Sequence, residues 1–267
     1  GRTDWTVFLL ALVGGVCMHA GTNIINDYFD HKSKNDDINQ NFIRPFSGGS
    51  RMIQRGLLTP REVLLEAVLF FAISALIGFY LVFKLKAYAL LWIGAIGLLS
   101  GWFYTAPPLF WGSLGIGEIV VGSNFGLLMV LGSYYVQTGV FSFQAAYASV
   151  PASLLIALVL YINEFPDHDA DKAVGKNNLV VRFGLKRAVY GYIAGLAFTY
   201  LWIAAGVAMN ILPAWTLFAM LTFPVAMKAI QVLRANFATP KNLAPACGST
   251  IILHLSIGLI LSASFLL

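Results

Sequence analysis

The feature that most limits this chain is the length of its uncharged runs. No Asp, Glu, Lys or Arg occurs from Ile119 to Asn163, from Ala188 to Met227, or from Asn242 to Leu267. An apolar stretch of ~20 residues crosses a bilayer as a helix, and each of these runs is longer. Charged residues make up 11% of the chain, against about 25% in soluble domains. A soluble globular fold, a disordered chain and a nucleic-acid-binding domain are thereby excluded, despite the net charge of +5. Outer-membrane strands are ~10 residues long and alternate in polarity, a pattern these runs do not follow. The sequence predicts an all-α, polytopic transmembrane bundle forming one domain over residues 1–267.

Apolar windows place eight spans, at about 5–28, 61–83, 87–105, 117–138, 144–164, 186–208, 212–233 and 247–266. Their connections alternate in character. Short ones lie at Lys84–Lys86, Gly139–Phe143 and Met209–Leu212; long polar ones cover roughly 29–60, 106–116, 165–185 and 234–246. Of the 17 Lys and Arg residues, only Arg2, Lys84 and Lys86 fall on the short-loop side. Cations concentrate on the cytoplasmic side of membrane proteins, which puts the long loops, with their cap segments at about 29–60 and 165–185, in the cytoplasm. Cys17 and Cys247 both sit in apolar segments, where small buried packing residues are expected in place of a disulfide.

An internal echo carries the chemistry. Asn26-Asp27-Tyr28-Phe29-Asp30-His31 returns as Asn163-Glu164-Phe165-Pro166-Asp167-His168, each copy closing a span on the cytoplasmic side. Residues four apart share a helix face, so Asn26 and Asp30 point together, as do Asn163, Asp167 and Asp171. Pro166 removes a helical hydrogen bond and is expected to disturb the second face. Eight of the 12 acids belong to these two clusters: Asp27, Asp30, Asp36, Asp37, Glu164, Asp167, Asp169 and Asp171. Acids packed this densely repel unless cations neutralise them. Mg²⁺ prefers carboxylate oxygens and is commonly shared with substrate phosphates, so two facing clusters predict a diphosphate held through metal.

Between the clusters lies Arg44-Pro45-Phe46-Ser47-Gly48-Gly49-Ser50-Arg51. Paired glycines let backbone N–H groups converge on an anion, and guanidinium groups of Arg44 and Arg51 suit phosphate oxygens. Lys172 and Lys176 supply charge beside the second cluster.

These residues resemble the UbiA-type superfamily of intramembrane aromatic prenyltransferases, marked by two Asp-rich motifs at cytoplasmic helix ends. Asn26 to Asp30 matches the first motif, with its later acid at Asp36; Lys34 stands where ubiquinone-branch members carry an acid, and the longer spacing looks like the menaquinone branch. Asn163 to Asp167, Asp171 and Gly175-Lys176-Asn177-Asn178-Leu179 match the second. Tyr104-Thr105-Ala106-Pro107 and Gly117-Glu118 are also similar to family segments. The family has nine helices, so the resemblance implies that the first is missing from this sequence by trimming. It further implies transfer of a prenyl group from a polyprenyl diphosphate to an aromatic acceptor, 1,4-dihydroxy-2-naphthoate before other phenols, in a bacterial cytoplasmic membrane. Asp27, Asp30, Asp36, Glu164, Asp167 and Asp171 are the implied Mg²⁺ ligands. Arg44, Arg51, Lys172, Lys176, Asn26 and Asn163 are the implied diphosphate contacts, and Asp30, Asp167, Asp171 and Tyr104 the catalytic set. Tyr104 also suits an interfacial anchor, and Asn124 and Gln144 suit helix–helix contacts. A transporter with a cation or phosphate site is the competing class; it predicts ionisable residues deep in several spans, whereas here they gather at one face.

Overall fold

The computed structural model describes residues 3–267, so Arg2 lies outside the described residues. Among the described residues, eight long helices build the bundle: α1 (Trp5–Lys32), α2 (Pro60–Leu85), α3 (Ala89–Phe103), α4 (Gly117–Thr138), α5 (Phe143–Ala173), α6 (Leu185–Ala208), α7 (Ala214–Asn236) and α8 (Pro240–Ser264). Seven are long and apolar enough to cross a membrane, and α3 is a shorter apolar helix of 15 residues. The segment expected at 87–105 is therefore shortened to ~22 Å at 1.5 Å per residue, less than the ~30 Å hydrocarbon core.

Local sequence sets several helix ends. Thr59 caps α2 with Glu62 in a reciprocal box, Pro60 occupying the first turn where its missing N–H costs nothing. Asp4 caps α1 by accepting from the Val7 N–H at 3.0 Å, and Gly139 ends α4 at a positive φ of 74°. The disturbance expected at Pro166 does not break α5, which runs on to Ala173 with both Pro151 and Pro166 inside it. Within α4, Ser123–Leu128 forms a π turn. Gly122 and Gly126 bring that turn against Ser153 of α5; a Cβ on Gly122 would stand 2.8 Å from the Ser153 carbonyl oxygen.

Contacts at the two ends give the sidedness. Asp4 and Gln137 exchange hydrogen bonds at 3.0 and 3.1 Å, joining the start of α1 to the end of α4. At the other end the long loops meet, with the Asn177 N–H donating to the Ser113 carbonyl at 3.1 Å. The outside is apolar: Leu76, Trp92 and Leu259 are 68%, 75% and 71% exposed, a surface suited to lipid. The main core is built by α5 to α8 around Leu155, Phe165, Tyr192 and Leu253. Buried tyrosines stitch it, Tyr192 to Thr250 at 2.6 Å and Tyr161 to the Ala188 carbonyl at 3.0 Å; with no water in a bilayer core, such hydroxyls pair across helices. The first half holds a smaller cluster of Ile25, Ala67 and Phe71. Beside it, α1 to α4 line a half-open apolar cavity of about 670 Å³. Both cysteines are free and buried.

Candidate active site

The last turns of α1 place Asn26 and Asp30 together, as the i,i+4 spacing requires; the Asn26 amide donates to Asp30 Oδ2 at 2.8 Å. Asp27 faces the glycine-rich loop and accepts from the Ser50 N–H at 3.1 and 3.2 Å on its two oxygens. Asp36, on the one-turn helix Asn35–Ile38, is 3% exposed and its Oδ2 has no partner. Asp27 and Asp36 converge on Gly49, where a Cβ would meet their oxygens at 2.6 and 2.9 Å; the φ of +67° already favours glycine.

The second motif meets the first. Lys176 donates to Asp30 at 3.2 and 3.4 Å and stands 3.7 Å from Asp171. Burial opposes the charge on this lysine, but Asp30 and Asp171 outweigh it and hold the ammonium pKa well above its ordinary value. Two further bridges cross between the motifs: Asn35 donates to Asp171 and Asn39 to Asp167, both at 2.6 Å. Asn178 completes Asp171 at 2.7 Å. Asn163, Asp167 and Asp171 lie along one unbroken stretch of α5, and the Asn163 side-chain oxygen is buried without a partner.

Several expected residues sit differently. The Gly48-Gly49-Ser50 turn spends the Ser50 N–H on Asp27, so part of the anion cradle is filled by the protein's own carboxylate. Arg44 donates to the Ser50 carbonyl and Arg51 to that of Asp36. Arg51 also donates to the Asn39 carbonyl and lies 4.1 Å over the Phe42 ring. Both guanidiniums thus brace the loop, and each retains N–H groups beyond those bonds. Lys172 is exposed and, among the described residues, makes no ion pair with the acids. Asp169 and Asp37 also leave the cluster: Asp169 is exposed beside His168, and Asp37 faces Gln54. Glu164 turns to Glu118 of α4, within hydrogen-bonding reach, and Oε2 of each has no partner. Glu118 in turn accepts from the Leu179 N–H at 2.9 Å, clamping the second-motif loop.

Tyr104 stands where these parts meet. Its ring lies on Gly112 and Gly117, at which a Cβ would come within 2.9 and 3.2 Å. It lines the apolar cavity and is within electrostatic reach of Glu164, Lys176, Glu118 and Asp30.

The donor set suits a hard divalent cation. Asp27, Asp30, Asp36, Asp167 and Asp171 offer carboxylate oxygens, and the partnerless Asp36 oxygen is the kind of buried group a cation satisfies. Among the described residues, no three His, Cys, Asp or Glu side chains close on one point to hold a metal by themselves. A cation here needs oxygens from water or a phosphate to complete its shell, which is the usual state of protein-bound Mg²⁺.

Asn35, Asn39 and Asn178 were not among the predicted site residues. Their signal was faint: Asn35 and Asn39 repeat the spacing of four seen in both motifs, but amides in a polar loop look like turn residues.

The sequence profile of the UbiA prenyltransferase family matches residues 1–247. The 1,4-dihydroxy-2-naphthoate octaprenyltransferase of Bacillus subtilis (strain 168) is 27% identical over 266 residues, covering 100% of this chain and 83% of the relative. The enzyme of the same name from Mycobacterium tuberculosis (strain ATCC 25618 / H37Rv) is 32% identical over 235 residues, covering 87% and 76%. In fold, the chain is similar to a UbiA homolog from Archaeoglobus fulgidus bound to DMAPP and Mg²⁺, with a TM-score of 0.63 at 18% identity, covering 98% of this chain and 89% of that one. Two acidic motifs joined at one end of a helical bundle, and a profile match over nearly the whole length, lead to one conclusion: this chain belongs to the UbiA prenyltransferase family and is a transferase of prenyl groups.

Proposed function

We propose that the protein transfers the prenyl group of a polyprenyl diphosphate to 1,4-dihydroxy-2-naphthoate, with Mg²⁺, as a step of menaquinone synthesis. The observation that carries this reading is the meeting of both acidic motifs around Lys176, next to an apolar cavity that Tyr104 shares. The names of the B. subtilis and M. tuberculosis relatives support the acceptor. The distribution of Lys and Arg supports a cytoplasmic reaction face, and the bacterial sources of the relatives support a bacterial membrane. We also assign α3 as an eighth crossing. It joins the Lys86 end of α2 to Tyr104, which lies among the acids at the opposite end, so it traverses the bundle despite its length.

Asp27, Asp30, Asp36, Asp167 and Asp171 would hold Mg²⁺, which when bound supplies positive charge against the diphosphate. Lys176 adds a fixed cation between the motifs, and the free N–H groups of Arg44 and Arg51 add to the same potential. Charge so preorganised stabilises the diphosphate as it leaves with the C–O electron pair. Asn26 and Asn163 orient oxygens at the two motifs. The cavity takes the hydrocarbon tail and keeps water from the allylic cation, which Tyr104 faces across its ring. The ring carbon bearing the carboxylate bonds to the prenyl carbon, and the carboxylate leaves as CO₂, returning its electron pair to the ring.

The test incubates the full chain in detergent or nanodiscs with a polyprenyl diphosphate, Mg²⁺ and a panel of phenolic acids. Diphosphate release and lipid product are followed together. Naphthoate is expected to be the preferred acceptor, and Asp30→Ala and Asp167→Ala should each abolish turnover. Absence of lipid product with every acceptor overturns the reading; near-normal rates in either variant overturn the two-motif site.

A further inference from the structure

An oxygen-bearing ligand in an apolar cavity has to find its hydrogen bonds on the wall, and this wall offers few. The polar side chains that line it along α1 to α4 include Thr22, Ser74, Ser100, Tyr104, Asn124 and Ser133. Thr22 spends its hydroxyl proton on the Met18 carbonyl at 2.9 Å and Ser74 on that of Gly14 at 2.9 Å. Ser100 is 4% exposed and has the Ile96 carbonyl at 2.6 Å, the Gly97 carbonyl at 3.1 Å and Asn124 Oδ1 at 2.8 Å as acceptors for its single proton. Asn124 differs from Thr22, Ser74 and Ser100. Its oxygen lies within reach of the Ser100 hydroxyl, one amide hydrogen goes to the Val120 carbonyl at 2.7 Å, and among the described residues nothing accepts the second amide hydrogen.

Position and local backbone point the same way. Asn124 is seven residues into α4, about 10 Å of helix rise from the end where Tyr104 packs on Gly117. Ser133 is far deeper, towards the opposite face. Asn124 also sits in the π turn Ser123–Leu128, and single π turns in helices recur at functional sites. Two glycines and Ser153 of α5 accommodate that turn, so several residues combine to present one amide to the cavity. A prenyl tail has no atom for that amide to bond.

We infer that Asn124, braced by Ser100, seats the aromatic acceptor by donating its free amide hydrogen to a ring-borne oxygen, and so selects among hydroxylated aromatic acids. The inference rests on the proposed prenyl transfer to a phenolic acceptor, and it adds which residue reads that acceptor. Tyr104 marks the reacting end of the cavity, and Asn124 reads the acceptor about two turns below it.

The test uses the full chain in nanodiscs and measures KM for acceptor and for prenyl diphosphate separately. Binding of the fluorescent probe 1-hydroxy-2-naphthoate is measured alongside, with chromatographic dispersity and Tm as folding checks. Asn124→Leu is expected to raise the acceptor KM by on the order of tenfold, the worth of about one hydrogen bond. It should weaken naphthoate binding by a similar factor and leave the prenyl diphosphate KM within about twofold. Ser100→Ala should move the acceptor values the same way by a smaller factor. A folded Asn124→Leu with unchanged acceptor KM and naphthoate affinity overturns the inference, as does an equal rise in both KM values. If Asn124→Leu does not fold, Asn124→Ser and Ser100→Ala carry the test, and unchanged values in both overturn it. Failure of the two readings is distinguishable. Naphthoate binding that depends on Asn124 without any prenyl transfer sinks the proposed function alone. Normal transfer with binding indifferent to Asn124 sinks the acceptor seat alone.

Discussion

At Asp36, burial and the neighbouring Asp30 and Asp27 carboxylates push the acid up to about 8, while Arg51 and Lys176 pull the other way. An unfolded aspartate titrates near ~3.9. Between those values the folded chain keeps a proton that the unfolded chain has lost, so metal-free stability declines as pH rises from about 4 to about 8. A cation that uses Asp36 has to displace that proton, and its apparent affinity therefore improves over the same range. The Mg²⁺ concentration for half-maximal activity should fall as pH goes from about 6 to about 8, and Asp36→Asn should flatten the trend. A flat profile in the unaltered protein would count against Asp36 as a ligand. Gly49 is the companion residue, since the same two carboxylates crowd the space a side chain would need. Gly49→Ala should cost about 1 kcal/mol from its positive φ alone, and more from the two oxygens it displaces. A drop in Tm with a raised Mg²⁺ requirement is the expected result; an unchanged Mg²⁺ requirement would separate the turn from the site.

Among the elements, α5 and the one-turn helix Asn35–Ile38 do most to assemble the site. The face of α5 was legible because spacing within one helix is a local property: Asn163, Asp167 and Asp171 follow from 3.6 residues per turn. That Pro166 leaves the face intact was not legible, because whether a proline breaks a helix depends on what packs around it. The short helix could not be read either. Four residues in a polar loop carry too little periodicity, yet they deliver Asn35 to Asp171, and the residue just after them delivers Asn39 to Asp167. A hydrogen bond to a charged group contributes about 1.5–3 kcal/mol. Asn35→Ala should destabilise the fold by about that amount, since Asp171 is nearly fully buried and loses a donor. Asn39→Asp should abolish turnover by setting a like charge against Asp167. Unfolding curves and initial rates check both; an Asn35→Ala protein of unaltered stability would show that the bridge is not holding the motifs together.

Over the whole molecule, the two halves are packed unequally. Helices α5 to α8 form a dense core, while α1 to α4 line the half-open cavity. Gly94 of α3 lines that cavity, and a Cβ there meets no atom within 4 Å. Gly94→Leu should fold normally and fill part of the space. Turnover of long polyprenyl diphosphates should then fall by on the order of tenfold, with short ones spared, because one side chain of Leu size displaces methylene contacts worth ~0.8 kcal/mol each. Product chain lengths by mass spectrometry check this, and an equal loss for short and long donors would place the tail elsewhere.

Uncharged runs longer than a bilayer leave helices as the way to satisfy the backbone inside lipid, so the fold class and the sidedness of the loops followed from the sequence alone. Most helix limits did too, except that α5, expected to end at 164, runs on to Ala173, and α8, expected from 247, starts at Pro240. So did the faces that carry Asn26 with Asp30 and Asn163 with Asp167, each being a short-range matter of helical pitch. Tertiary structure decided the rest. Lys176 lies 146 residues from Asp30, and no local rule pairs them. The removal of Lys172, Asp169 and Asp37 from the cluster, and the turning of Glu164 to Glu118, depend on which face of each helix meets a neighbour. Charge type and spacing are written along the chain, whereas which charges meet is set by packing between helices distant in sequence.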